Sequence, residues 1–566
     1  MNCTLDKAMY NPGATALCTV TGIPQDAAQV RLTLLHIERV ITSDAQPATG
    51  DGVTFPLVLP QTDFTGYLMR ADATGAQGEQ LVTAFTGLDC SSCWTRFPRY
   101  GYVWDFTAGC DAEKKLEQLT RYHLNGLQFY DWQYRHHLPV SPDLSGWTDW
   151  SGRAVDGNVL RSYLAKAHAL GMASMAYNMI YAANMTYLSD GSGVQPAWRL
   201  VKENGTDFTC EMDAARGDVG VLQYFNLLDK DWQAYIFARE REVFEAFDFD
   251  GWHGDTIGEN GRMTNANGGP LGFTAHGEPI YTVKECYTAF LNAAKRAIAP
   301  KFLDFNPVGA QGIEQVNQSD VDVLYTEFWP WDSDTDGQPY DSYLSLHRAI
   351  VRAAAQSGGK SLVVAAYVNY RNAAAAFNTP AVRLLDSVVF ASGGARIELG
   401  NGDGMLSDEY FPADRHKRMD ESLQTAVTRL YDFAVAYENL LRDGQTPVTR
   451  TVEIEGVAVS ADGAADAVWV FAKADAQQEI YHLINLCGTD TDWRDVAQTK
   501  AAPTPLNGLR VTLYSGFTVS KVLLASPDGP DLSAAAVPFT RGADARGAYI
   551  ALTVPSLAYW NMIVLR

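Results

Sequence analysis

Between residues 95 and 443 the chain repeats one rhythm eight times, a short apolar run followed by a longer stretch of helical period. The runs are Tyr102–Phe106, Leu127–Asp131, Ala173–Tyr177, Gly251–Asp255, Phe302–Asn306, Val323–Glu327, Leu362–Tyr367 and Ala395–Leu399. Between them lie helix candidates at Asp111–Tyr122, Val159–Leu170, Asp231–Phe247, Thr282–Ile298, Asp341–Ala355 and Thr379–Ala391. Short apolar runs that alternate with helices read as parallel strands buried on both faces. Eight such units in about 340 residues specify a TIM (β/α)8 barrel with long loops. A doubly wound sheet is the alternative, but it lacks a phosphate loop. Gly258, Gly261, Gly268 and Gly269 miss the G-x-G-x-x-G spacing. Gly359-Lys360-Ser361 ends like a Walker loop, yet Ala354 stands where the opening glycine belongs, and a strand follows rather than a helix.

Both flanks read as all-β. Val30–Leu34, Val53–Phe55 and Gly66–Met69 precede the barrel, and Val468–Phe471, Ile480–Ile484, Val511–Tyr514, Val522–Leu524 and Tyr559–Leu565 follow it. Short strands between Gly, Pro and Asp suggest sandwiches. The expected division is an immunoglobulin-like β-sandwich over 1–94, a catalytic barrel over 95–443 and an antiparallel β-sandwich over 444–566.

Acidic residues outnumber basic ones 66 to 44, a net charge of −22. Such a surface repels nucleic acid and anionic membrane, so neither is expected as a partner. No run of about 18 apolar residues is present to span a bilayer. The first residues carry no basic, apolar leader, so the sequence as given reads as cytoplasmic, or as secreted if a leader has been trimmed. Eight scattered cysteines make no disulfide framework, and Cys90-Ser-Ser-Cys93 has no second pair at zinc spacing. No metal and no cofactor are expected.

Function in such a barrel collects at the C-terminal strand ends. There the chain places Asp131-Trp132 on the second strand, Tyr177-Asn178 on the third and Asp255 on the fourth, two residues after His253. Asn306 ends the fifth, Glu327 with Trp329 the sixth, Asn369 the seventh and Glu398 the eighth. Charged groups are not needed for packing at these positions, and converging carboxylates titrate as acid/base pairs. Either a divalent metal site or glycoside hydrolysis fits the pattern. A zinc site would want more histidine than His253, and magnesium usually serves phosphates, which this charge disfavours. Carboxylates beside Trp and Tyr suit a sugar, whose apolar face packs on aromatic rings.

Phe129–His136, Phe249–Gly258 and Tyr325–Pro330 resemble blocks of glycoside hydrolase family 66, as do Ala176–Tyr181, Ala391–Gly394, Ile397–Gly400 and Thr62–Tyr67. That family holds endo-dextranases and cycloisomaltooligosaccharide glucanotransferases acting on α-1,6-glucan. The resemblance implies a retaining double displacement, with Asp255 as nucleophile, Glu327 as acid/base and Asp131 as a third acidic contact to the sugar. Trp132, Tyr177, Asn178, His253, Asn306, Trp329, Asn369 and Glu398 are then expected to bind substrate. The stretch from 182 to 249 leaves no room for the sugar-binding module that cyclising members carry, which favours hydrolysis of dextran or isomaltooligosaccharides over cyclic or longer transfer products. A non-catalytic glucan-binding protein is the alternative of another class. The sequence leaves the oligomeric state open.

Overall fold

The computed structural model describes residues 1–566 except 51, 334–336, 372–375, 403 and 409–416. An eight-stranded parallel sheet forms the centre: β1 (Tyr100–Val103), β2 (Gly126–Phe129), β3 (Ala173–Met179), β4 (Gly251–Asp255), β5 (Phe302–Asn306), β6 (Val323–Phe328), β7 (Leu362–Ala366) and β8 (Ala395–Arg396). Each strand pairs with its sequence neighbours in that order, so the sheet curls into a barrel. Helices α1 (Ala112–Thr120), α2 (Gly157–Ala169), α3 (Lys230–Ala246), α4 (Tyr287–Ile298), α5 (Ile313–Asn317), α6 (Tyr343–Gln356), α7 (Thr379–Ser392) and α8 (Glu421–Ala436) follow the strands in turn, and α9 (Glu438–Leu441) follows α8.

Why these helices start where they do is visible in their first turns. Asp111, Asp156, Asp229 and Asp420 each cap a helix by accepting backbone N–H bonds, and Ser342 caps α6 in a reciprocal box with Ser345. The α7 helix stops at Gly393, whose φ of +92° only glycine takes without strain.

The strands alternate strictly. Tyr100, Tyr102, Met175, Val323, Tyr325, Val363, Ala365, Tyr367, Ala395 and Ile397 fill the barrel interior. Leu127, Phe129, Ala176, Trp252, Leu303, Leu324 and Val364 face the helices. Strand β8 departs from expectation. Its ladder ends at Arg396, and Leu399–Asn401 instead joins a small sheet with Gly404–Met405 and Lys417–Arg418. The gap against β1 is closed by glycine: a Cβ on Gly400 would sit 2.2 Å from the Tyr102 carbonyl oxygen, and one on Gly101 2.8 Å from that of Leu399.

Two antiparallel sandwiches flank the barrel. In the first, Asn2–Leu5, Thr15–Thr21 and Val53–Val58 face Arg39–Pro47, Ala27–His36, Thr65–Gly75 and Gln80–Cys90 over a core of Val20, Val30, Leu32, Phe55, Met69 and Leu88. In the second, a sheet built on Val468–Ala474, Glu479–Asn485 and Trp560–Leu565 faces one built on Leu506–Tyr514 and Gly547–Leu557. The first is anchored by buried charge. Arg99, 2% exposed, joins Asp89 of the first sandwich (2.6 Å) to Glu438 of α9 (3.2 Å). Asp432 of α8 accepts from the Gly87 amide and from His123.

Candidate active site

The C-terminal ends of β4, β5, β6 and β7 bring Asp255, Asn306, Glu327 and Tyr367 together. All four occupy the inward phase of their strands, each an even number of residues after an interior side chain. Asn306 ties two of the strands. Its amide donates to Asp255 Oδ1 (3.0 Å), and its Oδ1 accepts from the Glu327 backbone N–H (3.3 Å) and from Val308 (2.9 Å). Tyr177 donates its hydroxyl to Asp255 Oδ2 at 2.7 Å. Glu327, 8% exposed, accepts from Tyr367 Oη at Oε1 (2.6 Å) and from Trp329 Nε1 at Oε2 (3.2 Å).

The electrostatics follow from burial and crowding. Burial, and then the charge of Glu327, push Asp255 up to about 7, against the His253 imidazolium and the Tyr177 hydrogen bond. Burial also raises Glu327. Hydrogen bonds from Tyr367, Asn306 and Trp329 restrain that shift, and the charge of Asp332 adds to it. Asp332 is itself pushed up to about 6 by burial, and its Oδ2 accepts the Trp329 amide at 2.7 Å. Because Asp255 feels the charge of Glu327, the two carboxyls titrate together rather than independently.

His253 lies one inward step below Asp255. Its Nδ1 is 3.0 Å from Asp304 Oδ1, and its ring meets Tyr325 edge-on at 4.8 Å and stacks on Tyr177 at 6.0 Å. Burial opposes its charge, but Asp304, Asp255 and Glu327 outweigh burial and raise its pKa. At 1% exposure it forms part of the floor rather than the sugar-facing surface.

Above Glu327 the rings form a wall. Trp329 packs on Tyr367 at 4.2 Å and stacks on Trp331 at 5.4 Å, and Tyr370 meets Trp329 and Trp331 edge-on at 5.6 and 5.2 Å. Trp331 is 64% exposed. A large indole left open beside paired carboxyls is a platform on which a pyranose can stack.

Other expected contacts are placed elsewhere. Trp132 is fully buried in the helix layer between Trp147, Phe247 and Phe249. Asn178 faces α3, donating to Glu240 (2.7 Å) and to the His136 carbonyl (3.0 Å). Glu398 is buried behind β8 with Arg396 (2.6 Å) and Tyr431 (3.0 Å). Asn369, at φ +55°, donates to the carbonyl and carboxylate of Asp495, both at 2.8 Å, and so holds the β7 loop to the second sandwich. All four side chains have polar or apolar partners away from the carboxyl pair, so none reaches it. Asp131 sits at the rim in a left-handed conformation (φ +52°), and both its oxygens are taken, by Trp150 Nε1 (3.0 Å) and by Arg153 (2.6 Å). Arg135, four residues after Asp131, packs on Tyr134. Tyr367, Tyr370 and Asp332 were not among the expected site residues. The inward phase of Val363 and Ala365 was the signal for Tyr367.

The barrel, its rim of paired carboxyls and the aromatic wall define a glycoside hydrolase. The chain matches the glycosyl hydrolase family 66 profile over residues 5–564, and it belongs to that family. It is 28% identical to a cycloisomaltooligosaccharide glucanotransferase of Niallia circulans, over 99% of this chain and 71% of the relative. To a dextranase of Streptococcus salivarius it is 27% identical, over 95% of this chain and 72% of the relative. A crystal structure of a Paenibacillus cycloisomaltooligosaccharide glucanotransferase complexed with cycloisomaltoheptaose superposes with a TM-score of 0.89 at 25% identity, covering 100% of this chain and 99% of that one.

Proposed function

We propose that the protein is a retaining, endo-acting hydrolase of α-1,6-glucosidic bonds in dextran and isomaltooligosaccharides. The observation that carries this reading is the pair of half-buried Asp255 and buried Glu327, bridged through Asn306 and roofed by Trp329. Asp255, held between Tyr177 and Asn306, attacks the anomeric carbon. Glu327, whose carboxyl is raised by burial and by the charge of Asp332, donates a proton to the leaving oxygen and then, as a carboxylate, takes one from water. The productive form carries its proton on Glu327 and leaves Asp255 ionised before the bond breaks. The Trp331 face binds the sugar on one side of the cleavage point.

Transfer to a second sugar is the runner-up, since the relatives include glucanotransferases. The alignment with the Niallia circulans enzyme runs over 712 residues against the 566 of this chain, so that relative carries segments with no counterpart here. That favours water over a looped-back glucan as the acceptor. A dextran digest resolved by chromatography and mass spectrometry tests the choice. Linear isomaltooligosaccharides of mixed length with no cyclic product are expected. Cyclic products, 18 Da lighter than their linear counterparts, would overturn it in favour of cyclisation, and release of glucose alone would overturn endo action.

A further inference from the structure

Behind the barrel, away from the carboxyl pair, a cavity of about 540 Å³ opens between α6, the end of α7 and the first strands of the second sandwich. The chain carries a net charge of −22, yet no Asp or Glu is among the lining residues, whereas Lys360, Arg442, Arg450 and Lys473 are. The lysine and arginines differ in how they are neutralised. Arg450 pairs with Glu479 (2.6 Å) and Arg442 with Glu438 (3.7 Å), while Lys360 donates to the Val321 carbonyl. Lys473, 8% exposed, has no carboxylate partner among the described residues. Its Nζ donates to the carbonyls of Ala391 (2.9 Å) and Leu441 (2.5 Å), in the last turns of α7 and α9, and its third N–H has no acceptor among the described residues.

The groups around Lys473 disfavour further positive charge. His347 of α6 and His482 of the neighbouring strand are pushed down first by burial and then by Lys473, and Lys473 is pushed down to about 7 first by burial and then by Arg442. No carboxylate enters any of these balances. Ser361, 4% exposed and also lining the cavity, has a hydroxyl with no partner among the described residues. It closes the Gly358-Gly359-Lys360-Ser361 turn, the Walker-like remnant in the sequence. Both glycines there have positive φ, and a Cβ on either would meet nothing within 4 Å. Val351, Val448 and Phe471 make part of the lining apolar.

A volume of this size, a lone buried ammonium, an unpartnered hydroxyl and an apolar wall describe a small-molecule site. We infer that this cavity binds a small organic anion, its carboxylate or phosphate on Lys473 and Ser361 and its apolar body against Val448 and Phe471. An anion there adds a full negative charge to the partial charge that the two helix ends already offer Lys473.

Isothermal titration of the full chain at pH 6.5 with benzoate, phenyl phosphate and the neutral isostere benzyl alcohol tests the site. Saturable binding of at least one anion is expected, with benzyl alcohol at least tenfold weaker. A preference between benzoate and phenyl phosphate identifies the head group. Lys473→Met should weaken the anion at least tenfold. Because that change removes a contact to two helix ends, Val351→Phe serves as a second variant that narrows the cavity and leaves the lysine in place, and it should weaken binding. Asp255→Asn should bind as the wild type does, which separates this site from the cleft. No saturable binding of either anion to 5 mM, equal binding of benzyl alcohol, or undiminished binding in a folded Lys473→Met or Val351→Phe protein would overturn the inference.

Discussion

At Asp255 the carboxylate accepts from Tyr177 and Asn306 and feels Glu327 across the same rim. If that neighbour's charge is what lifts Asp255, removing it must lower the acid limb of the rate profile. In Glu327→Gln, assayed on an activated aryl isomaltoside that needs little leaving-group protonation, the acid limb of kcat/KM is expected to move to lower pH. An unmoved limb would mean that burial alone sets Asp255. The same shift has a stability sign. A carboxyl whose folded-state pKa is raised binds more protons when folded than when unfolded, between its ordinary value near 4 and its folded value of about 7. Stability is therefore lost as pH rises through that window. Asp255→Asn removes the loss, so its melting temperature should exceed the wild type's by about 2 °C or more at pH 7.5 and converge with it near pH 4. Differential scanning calorimetry at the two pH values reads this directly.

At the scale of the strand, the inward phase decides what reaches the cleft. Gly251–Asp255 and Phe302–Asn306 run as the apolar pattern sets them, which is why Asp255, Asn306 and the floor residue His253 were legible. Asn178 and Glu398 sit one residue from the inward positions Tyr177 and Ile397, and that single step turns them into the helix layer. Asn369 drew attention as the last polar residue of the seventh run. Its left-handed φ breaks the alternation, and the inward position belongs to Tyr367, two residues earlier. No periodicity marks such a turn, nor the pairing of Asp131 with Arg153, which comes from a hairpin far along the second loop. Asn306 is the element-scale hinge of the account, since it orients Asp255 and anchors the strand that carries Glu327. Asn306→Ala should lower kcat by about ten- to a hundred-fold, the loss typical when a group that orients a reacting ligand is removed, with KM little changed. Steady-state kinetics on isomaltooligosaccharides checks it, and a rise in KM alone would make Asn306 a binding residue instead.

Across the whole molecule the flanking sandwiches were legible as all-β from their strand spacing, but their anchoring was not, because it rests on contacts between residues hundreds of positions apart. Arg99 reaches Asp89 and Glu438, and Asn439 donates to the Phe64 carbonyl while accepting from the Gly66 amide. Removing Asp89 strips one of two carboxylates from the buried Arg99, so Asp89→Ala should cost about 3–5 kcal/mol in denaturant unfolding, against roughly 0–1 for an exposed pair such as Arg510–Glu455. A cost below 1 kcal/mol would mean that the first sandwich is only tethered to the barrel. All of this scaffolding serves one chemical claim, that Asp255 attacks and Glu327 moves the proton. Azide added to Glu327→Gln with an activated α-isomaltosyl substrate tests it most directly, because a small anion can intercept the glycosyl-enzyme without a general base. Attack by Asp255 inverts the anomeric carbon once and azide inverts it again, so the product read by proton NMR should be the α-glycosyl azide. A β-glycosyl azide would contradict the assignment of the two carboxyls.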